Sequence, residues 1–155
     1  MTHNTRQTPT WRDEFPADYN VPAVIATHPD LDDVSWHNDV CPSFTLKGYD
    51  GGHNRLDVRL WVAHPDKAAR EFPDMPRLYV SDGERAVFFE SEDDADAPKA
   101  IEAVLIACTR LYLESLDDAE LRAYVRRPRA FNPRINEAAI LLAELERRRM
   151  TTEAL

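Results

Sequence analysis

The sequence is poor in cysteine and glycine, and both shortages exclude classes of protein. Two cysteines among 155 residues are too few for the disulfide framework of a small secreted domain. The four glycines build no dinucleotide-binding or phosphate-binding loop, and no Gly-x-Ser-x-Gly elbow or His-Glu-x-x-His helix occurs. The familiar hydrolases, kinases and Rossmann enzymes are therefore disfavoured.

Long apolar runs are also missing. No run is longer than that of residues 103–108, which falls far short of the roughly 20 residues that cross a bilayer. The first 16 residues are polar and do not begin as a secretory signal does. Because the composition, 43% hydrophobic and 30% charged, is that of a globular domain, we predict a cytoplasmic protein without membrane association.

Negative charge is abundant and unevenly distributed. The net charge is −9, and residues 115–155 hold eight arginines against seven acids, so the first 114 residues carry −10. This excess repels nucleic-acid phosphates, which makes nucleic acid an unexpected partner. We expect a protein partner with a basic surface, and homo-oligomerisation stays open.

Hydrophobic periodicity changes once along the chain. It is two from Val34 onwards and clearest over residues 55–62, where Leu56, Val58, Leu60 and Val62 alternate with other side chains. Two turn clusters, at 49–54 and 81–84, divide this region into hairpins. The pattern predicts an antiparallel sheet of about four to five strands over residues 34–90.

After Glu90 the period becomes helical. A broad apolar stripe over 101–112 predicts one helix. Ser115 with Asp118 resembles a capping box that opens a second helix, and Asn132 followed by Pro133 predicts the start of a third, which runs to about residue 150. The expected buried face of this last helix is Ile135, Ala139, Leu142 and Leu145.

Strands followed by helices indicate an α+β fold in which three C-terminal helices pack on one face of the sheet. Residues 1–20 lack periodicity and are predicted to form an N-terminal arm. Residues 21–155 are predicted to form a single domain, since no linker or repeat divides them.

One segment carries three metal-ligating residue types. In an extended strand His37, Asp39 and Cys41 would share one face, and His53 in the next turn could add a fourth zinc ligand. The same residues could serve a thiol enzyme in which Cys41 is the nucleophile and His37 or His53 the base. We favour a solvent-facing polar strand edge ended by Pro42, and we predict no metal and no cofactor.

The densest acidic run covers residues 90–96, and it lacks the alternating acids and glycine of a calcium loop. It is either a solvated loop or a face that docks a basic protein. The two aromatic residues of the arm could add apolar contacts. The predicted partner-binding residues are Glu90, Glu92, Asp93, Asp94, Trp11 and Phe15.

Arginines cluster between residues 126 and 134, where they could grip phosphates. Cations at the end of a helix also complement its dipole, and we favour this reason for their presence. The phosphate-binding alternative depends on Arg126, Arg127, Arg129 and Arg134.

These features together predict a small acidic protein, not an enzyme, that covers a surface of another protein. Bacterial accessory and immunity proteins, and phage- or plasmid-encoded inhibitors of the anti-CRISPR or anti-restriction type, share this size and acidity. The alternatives are a metal-dependent or thiol enzyme at the His37 segment, and phosphate or nucleic-acid binding through the C-terminal arginines.

Overall fold

A computed structural model describes residues 10–49, 57–84, 86–127 and 136–148 and confirms the α+β fold. Its five antiparallel strands lie side by side in sequence order. The strands are Leu31–Asp33 (β1), Ser43–Leu46 (β2), Arg59–Val62 (β3), Leu78–Ser81 (β4) and Val87–Ser91 (β5). The helices are Trp11–Glu14 (α1), Ala23–Ala26 (α2), Ala97–Ser115 (α3), Asp118–Arg126 (α4) and Glu137–Arg147 (α5).

The neighbouring strands β3 and β4 direct their apolar side chains to one side of the sheet. Leu60 pairs with Val80 and Val62 with Leu78 in the β3–β4 register, and all four side chains are fully buried. We call these four residues the closed face. The prediction that Val58, Leu60 and Val62 point into the core is therefore confirmed, while Leu56 lies outside the described residues.

Helix α3 covers the sheet, packing on β2, β3, β4 and β5. Pro98 lies in its first turn, where a missing N–H costs no hydrogen bond. Its buried residues recur at helical spacing and join the core of the sheet: Ala97, Ala100, Ile101, Val104, Leu105 and Cys108. A second cluster unites α4 and α5 with the C-terminal end of α3: Leu113, Leu116, Leu121, Tyr124, Leu141 and Leu145.

The sheet begins earlier than the sequence suggests, and residues 34–41 are not a strand. They connect β1 to β2 through turns. Asp39 closes one of them, since its N–H donates to the Trp36 carbonyl at 2.8 Å and its carboxylate accepts the Trp36 N–H at 3.2 Å. Local side-chain hydrogen bonds of this kind compete with the hydrogen bonds of a strand. The period-two pattern therefore predicts a strand where the chain forms turns.

The helix boundaries also differ from the prediction. The capping box that opens α4 is Asp117 with Glu120, whereas the Ser115 hydroxyl donates to the Tyr112 carbonyl inside α3. Asp117 is the better cap because its carboxylate accepts the Glu120 N–H at 2.8 Å and its own N–H donates to the Glu120 carboxylate at 2.8 Å.

The predicted face of α5 is rotated. Leu145 is buried as expected, but Leu142 is 50% exposed, and Leu141 and Glu144 take the buried positions. The helix starts after Asn136, whose φ of 48° is left-handed. The Asn132–Pro133 start signal, Ile135 and residue 150 lie outside the described residues.

The described part of the predicted arm packs on the domain. Trp11 is only 5% exposed and belongs to the main hydrophobic cluster. Its backbone N–H donates to the Asp33 carboxylate at 2.7 Å, which ties α1 to the edge strand β1. Phe15 is half-buried and meets the Tyr19 ring edge-on at 5.3 Å.

Candidate functional site

Cys41 lies in the interior, where its thiol is protonated at neutral pH. It is 1% exposed, and burial raises the pKa of this thiol from 9.0 to about 12, with the nearby Asp39 carboxylate adding to the rise. A nucleophilic cysteine needs a lowered pKa and access to substrate. The surroundings of Cys41 supply neither, so they do not favour the thiol-enzyme alternative.

The other members of that segment have separate partners. His37 is exposed and its Nδ1 lies 3.1 Å from the Glu14 carboxylate. Asp39 lies 3.2 Å from a guanidinium nitrogen of Arg59. Among the described residues no three His, Cys, Asp or Glu side chains gather as a metal-binding group. His53 lies outside those residues, so its predicted role as a fourth ligand is untested.

The acidic run is clamped to the domain by two buried arginines. Arg70 donates to both oxygens of the Glu92 carboxylate at 3.2 and 3.0 Å. Arg77, 2% exposed, donates through Nε to Asp94 at 2.7 Å. These two acids therefore have a structural partner, which a solvated loop would not provide.

Arg77 also joins distant parts of the backbone. Its guanidinium donates to the carbonyls of Tyr19, at 3.0 Å, and Asn20, at 2.8 Å, and also to the carbonyl of Ala63. Five donors in a rigid fork suit this many acceptors. Arg77 thereby holds the segment before α2, the end of β3 and the acidic run together.

Each acid of the run thus has its own environment. The hydrogen bonds from Arg70 hold the pKa of Glu92 below its usual range. Asp93 caps a short 3-10 turn by accepting the Ala95 N–H at 2.8 Å. Glu90 is exposed and lies on β5 opposite Tyr79 of β4. Of the four predicted contact acids, Glu90 is the one that lies within the sheet.

The remaining predicted contacts occupy different surfaces. Arg126 and Arg127 are exposed at the C-terminal end of α4, where they complement the helix dipole. Arg129 and Arg134 lie outside the described residues, so the phosphate-binding alternative is untested. The burial of Trp11 gives it a core role, and its predicted contact with a partner is likewise untested.

A surface that the sequence analysis did not single out lies on the second side of the sheet. Trp61 pairs with Tyr79 and Tyr79 with Glu90, while Arg59 pairs with Ser81 and Ser81 with Val87. Paired residues of antiparallel strands point to the same side. We call the exposed and half-buried residues of this side the open face: Arg59, Trp61, Tyr79, Val87 and Glu90. Ser81 lies on the same side but is buried.

Arg59 is the centre of the open face. It lies 2.7 Å from Asp57 through Nε and 3.2 Å from Asp39 through Nη1. Its guanidinium carbon is 5.3 Å from the centre of the Trp61 ring, within the range of a cation–π contact. The two carboxylates and the ring hold this long side chain in place.

The surface continues from the open face into the loop before β2. Asp39 joins the two, since it binds Arg59 and accepts the Trp36 N–H. Trp36 is 52% exposed and its ring centre lies 4.4 Å from that of His37. Aromatic and charged groups therefore extend from Trp36 across the sheet to Tyr79.

The sequence did contain a signal for this surface. Trp61 alternates with the buried residues of β3, so the pattern that locates the core also places this aromatic residue on the opposite side.

No family model, curated protein or solved structure matches this chain. None of the helices in the described ranges combines the length and the apolar character that a bilayer crossing requires.

Proposed function

We propose that this protein is a non-enzymatic binding domain whose open face, together with Trp36, contacts another protein. The carrying observation is that Arg59, Trp61 and Tyr79 lie on the second side of the sheet, and that Asp39 joins Arg59 to the backbone N–H of the exposed Trp36. Tryptophan, tyrosine and arginine dominate the binding energy of protein interfaces. Their clustering supports protein recognition over the other functions considered.

The residues of the open face are already ordered, which favours tight contact. Arg59 is held by Asp39 and Asp57, so little rotamer freedom remains to be lost when a partner binds. Trp61 and Tyr79 are half-buried in the sheet, and each has only two side-chain torsions to fix. Binding would then cost less conformational entropy than an interface of flexible surface chains.

The negative charge beside the open face indicates what kind of partner surface would bind there. Asp57 and Glu90 are exposed beside the aromatic residues, and the first 114 residues carry −10. A partner surface with apolar recesses and a basic rim complements this arrangement. Glu90 replaces Glu92, Asp93 and Asp94 as the main acidic contact in our proposal, because Arg70, the 3-10 turn and Arg77 already engage those three.

The finer parts of the proposal follow from size and charge. We propose action in the cytoplasm, where the two free thiols stay reduced. A domain that covers a partner surface is suited to inhibition, so the immunity-protein or anti-CRISPR and anti-restriction type of activity remains our specific hypothesis.

The test compares two variants in affinity capture from an extract of the native host. Trp61→Ala/Tyr79→Ala removes the aromatic residues of the open face. Phe72→Ala removes an aromatic side chain that is 55% exposed elsewhere. We expect the wild type and Phe72→Ala to retain one or more proteins that Trp61→Ala/Tyr79→Ala loses by at least tenfold, with both variants folded by circular dichroism.

The captured protein is then purified and its association rate measured at two salt concentrations. Glu90→Gln should slow association and flatten its salt dependence, because exposed charges at an interface mainly steer encounter. Equal capture by wild type and the double variant would contradict the proposal.

A further inference from the structure

A groove with a volume of about 380 Å³ lies along one side of α3, beside the edge strand β5. This surface is distinct from the open face, because it is formed by α3 together with Phe88 and Phe89. The α3 side chains that line it include Glu102, Ala103, Ile106 and Arg110. Ala103 and Ile106 are half-buried although they lie outside the fully buried stripe of the helix.

The spacing of three of these residues is the informative feature. Glu102, Ile106 and Arg110 are four residues apart, so they follow one another along the same side of the helix. Over eight residues the helix rises about 12 Å. Glu102 and Arg110 therefore flank an apolar centre with opposite charges and are too far apart to pair with each other.

Neither charge is strongly engaged within the chain. Glu102 is exposed and forms no ion pair with another described residue. Arg110 lies 3.7 Å from Glu114 and 5.8 Å from the centre of the Phe88 ring, both loose contacts. By contrast Lys99, at the end of the groove, already lies 2.8 Å from Asp96.

The order Glu102, Ile106, Arg110 is self-complementary when two copies of α3 run in opposite directions. If a second copy of α3 packs antiparallel with Ile106 opposite Ile106, then Glu102 of each copy faces Arg110 of the other. A two-fold interface requires such self-complementarity, and the small side chain of Ala103 allows the two helices to approach closely. Two opposite-charge pairs would then flank one apolar contact.

We propose that the groove side of α3 binds a second copy of this chain in a two-fold symmetric dimer. Glu102 and Arg110 set the antiparallel register, since a parallel arrangement places like charges opposite each other. Ile106 and Phe88 supply the apolar contact. The dimer leaves the open face free, so this inference stands independently of the proposed function.

The first test measures the mass of the wild-type protein by light scattering and sedimentation over a range of concentrations. We expect a reversible dimer. Ile106→Glu places two like charges at the two-fold axis and should weaken the dimer at least tenfold. Phe72→Glu, at an exposed aromatic residue elsewhere, should leave it unchanged.

The sharper test uses charge reversal at two exposed positions, where the fold tolerates substitution. Glu102→Arg and Arg110→Glu should each be monomeric alone, because each brings like charges together twice. Their equimolar mixture should form a heterodimer, since each chain then supplies the sign that the other lacks. The double variant E102R/R110E should recover the homodimer.

Other results would overturn the proposal. A wild-type protein that stays monomeric at all concentrations shows that no copy occupies the groove. A dimer that survives Ile106→Glu and both charge reversals uses another surface. If the captured host protein, rather than a second copy, is lost on Ile106→Glu, the groove belongs to a heterologous partner.

Discussion

The two sides of the sheet differ in what their side chains do, although they are built from alternate residues of the same strands. Leu60 and Trp61 are neighbours in β3, yet Leu60 is fully buried against α3 and Trp61 lies half-buried on the open face. A closed face selects apolar side chains for volume and packing. The open face combines aromatic and charged residues, a composition that packing alone does not require.

Two arginines differ in another respect, which is how deeply they are buried. Arg77 is buried, and its guanidinium donates hydrogen bonds to one carboxylate and three backbone carbonyls. Arg59 is partly accessible and shares its guanidinium between carboxylates and the face of Trp61. The comparison indicates that burial of an arginine, and not the side of the sheet on which it lies, sets how many backbone carbonyls it binds.

The most disruptive way to test the comparison is to truncate adjacent residues of β3. Leu60→Ala should lower the free energy of unfolding by about 2–5 kcal/mol, because it leaves a cavity beneath α3. Trp61→Ala should cost less stability than Leu60→Ala and should remove partner binding. Urea unfolding of both variants, followed by the capture experiment, measures the two effects. A larger stability loss for Trp61→Ala would show that the open face is itself part of the core.

A smaller effect is expected from the arginines. Arg77→Met should cost about 1–3 kcal/mol or more, because it leaves buried carbonyls without a donor. Arg59→Met should change stability by only about 0–1 kcal/mol, as partly exposed ion pairs do. Thermal unfolding of the two variants side by side measures this difference. Equal losses would mean that Arg59 has a structural role like that of Arg77.

The effect that is absent at neutral pH concerns the buried thiols. Burial raises the pKa of Cys41 to about 12 and that of Cys108 to about 11, from 9.0 for an ordinary thiol. In the unfolded chain both deprotonate near pH 9, so the folded state binds more protons between about pH 9 and pH 12. Stability is therefore present in full below pH 9 and falls as pH rises, by up to about 1.4 kcal/mol per pH unit for each thiol.

The control for this expectation is Cys41→Ala. Its unfolding free energy should fall less steeply than that of the wild type between pH 8 and pH 10, measured by urea titration. Identical slopes would show that Cys41 ionises in the folded protein as readily as in water, contrary to its 1% exposure.

Much of the architecture could be predicted because its signals are local. The alternation around Val58, Leu60 and Val62 located β3, and the helical stripe over 101–112 located α3. The failures arose where tertiary packing or side-chain bonding overrode the local pattern. Asp39 closes a turn in the segment expected to be a strand, and the predicted phase of α5 placed Leu142 inward although it is half-exposed.

The candidate site was less predictable because its contacts are distant in sequence. The sequence pattern indicated no structural partner for the acidic run. Arg77, however, donates hydrogen bonds to Asp94, 17 residues away in sequence, and to the carbonyl of Asn20, 57 residues away. The link between Asp39 and Arg59 spans 20 residues. Composition counts such charges and does not reveal which of them are paired.

The sequence by itself determined that a sheet precedes the three C-terminal helices and that charge is uneven, because periodicity and composition depend on residue identity alone. Only the tertiary structure decided which acids are engaged and which side of the sheet is accessible. The reason is physical: the exposure of Trp61 and the pairing of Glu92 with Arg70 depend on which segments pack against them. Those neighbours are brought together only when the sheet and α3 have formed.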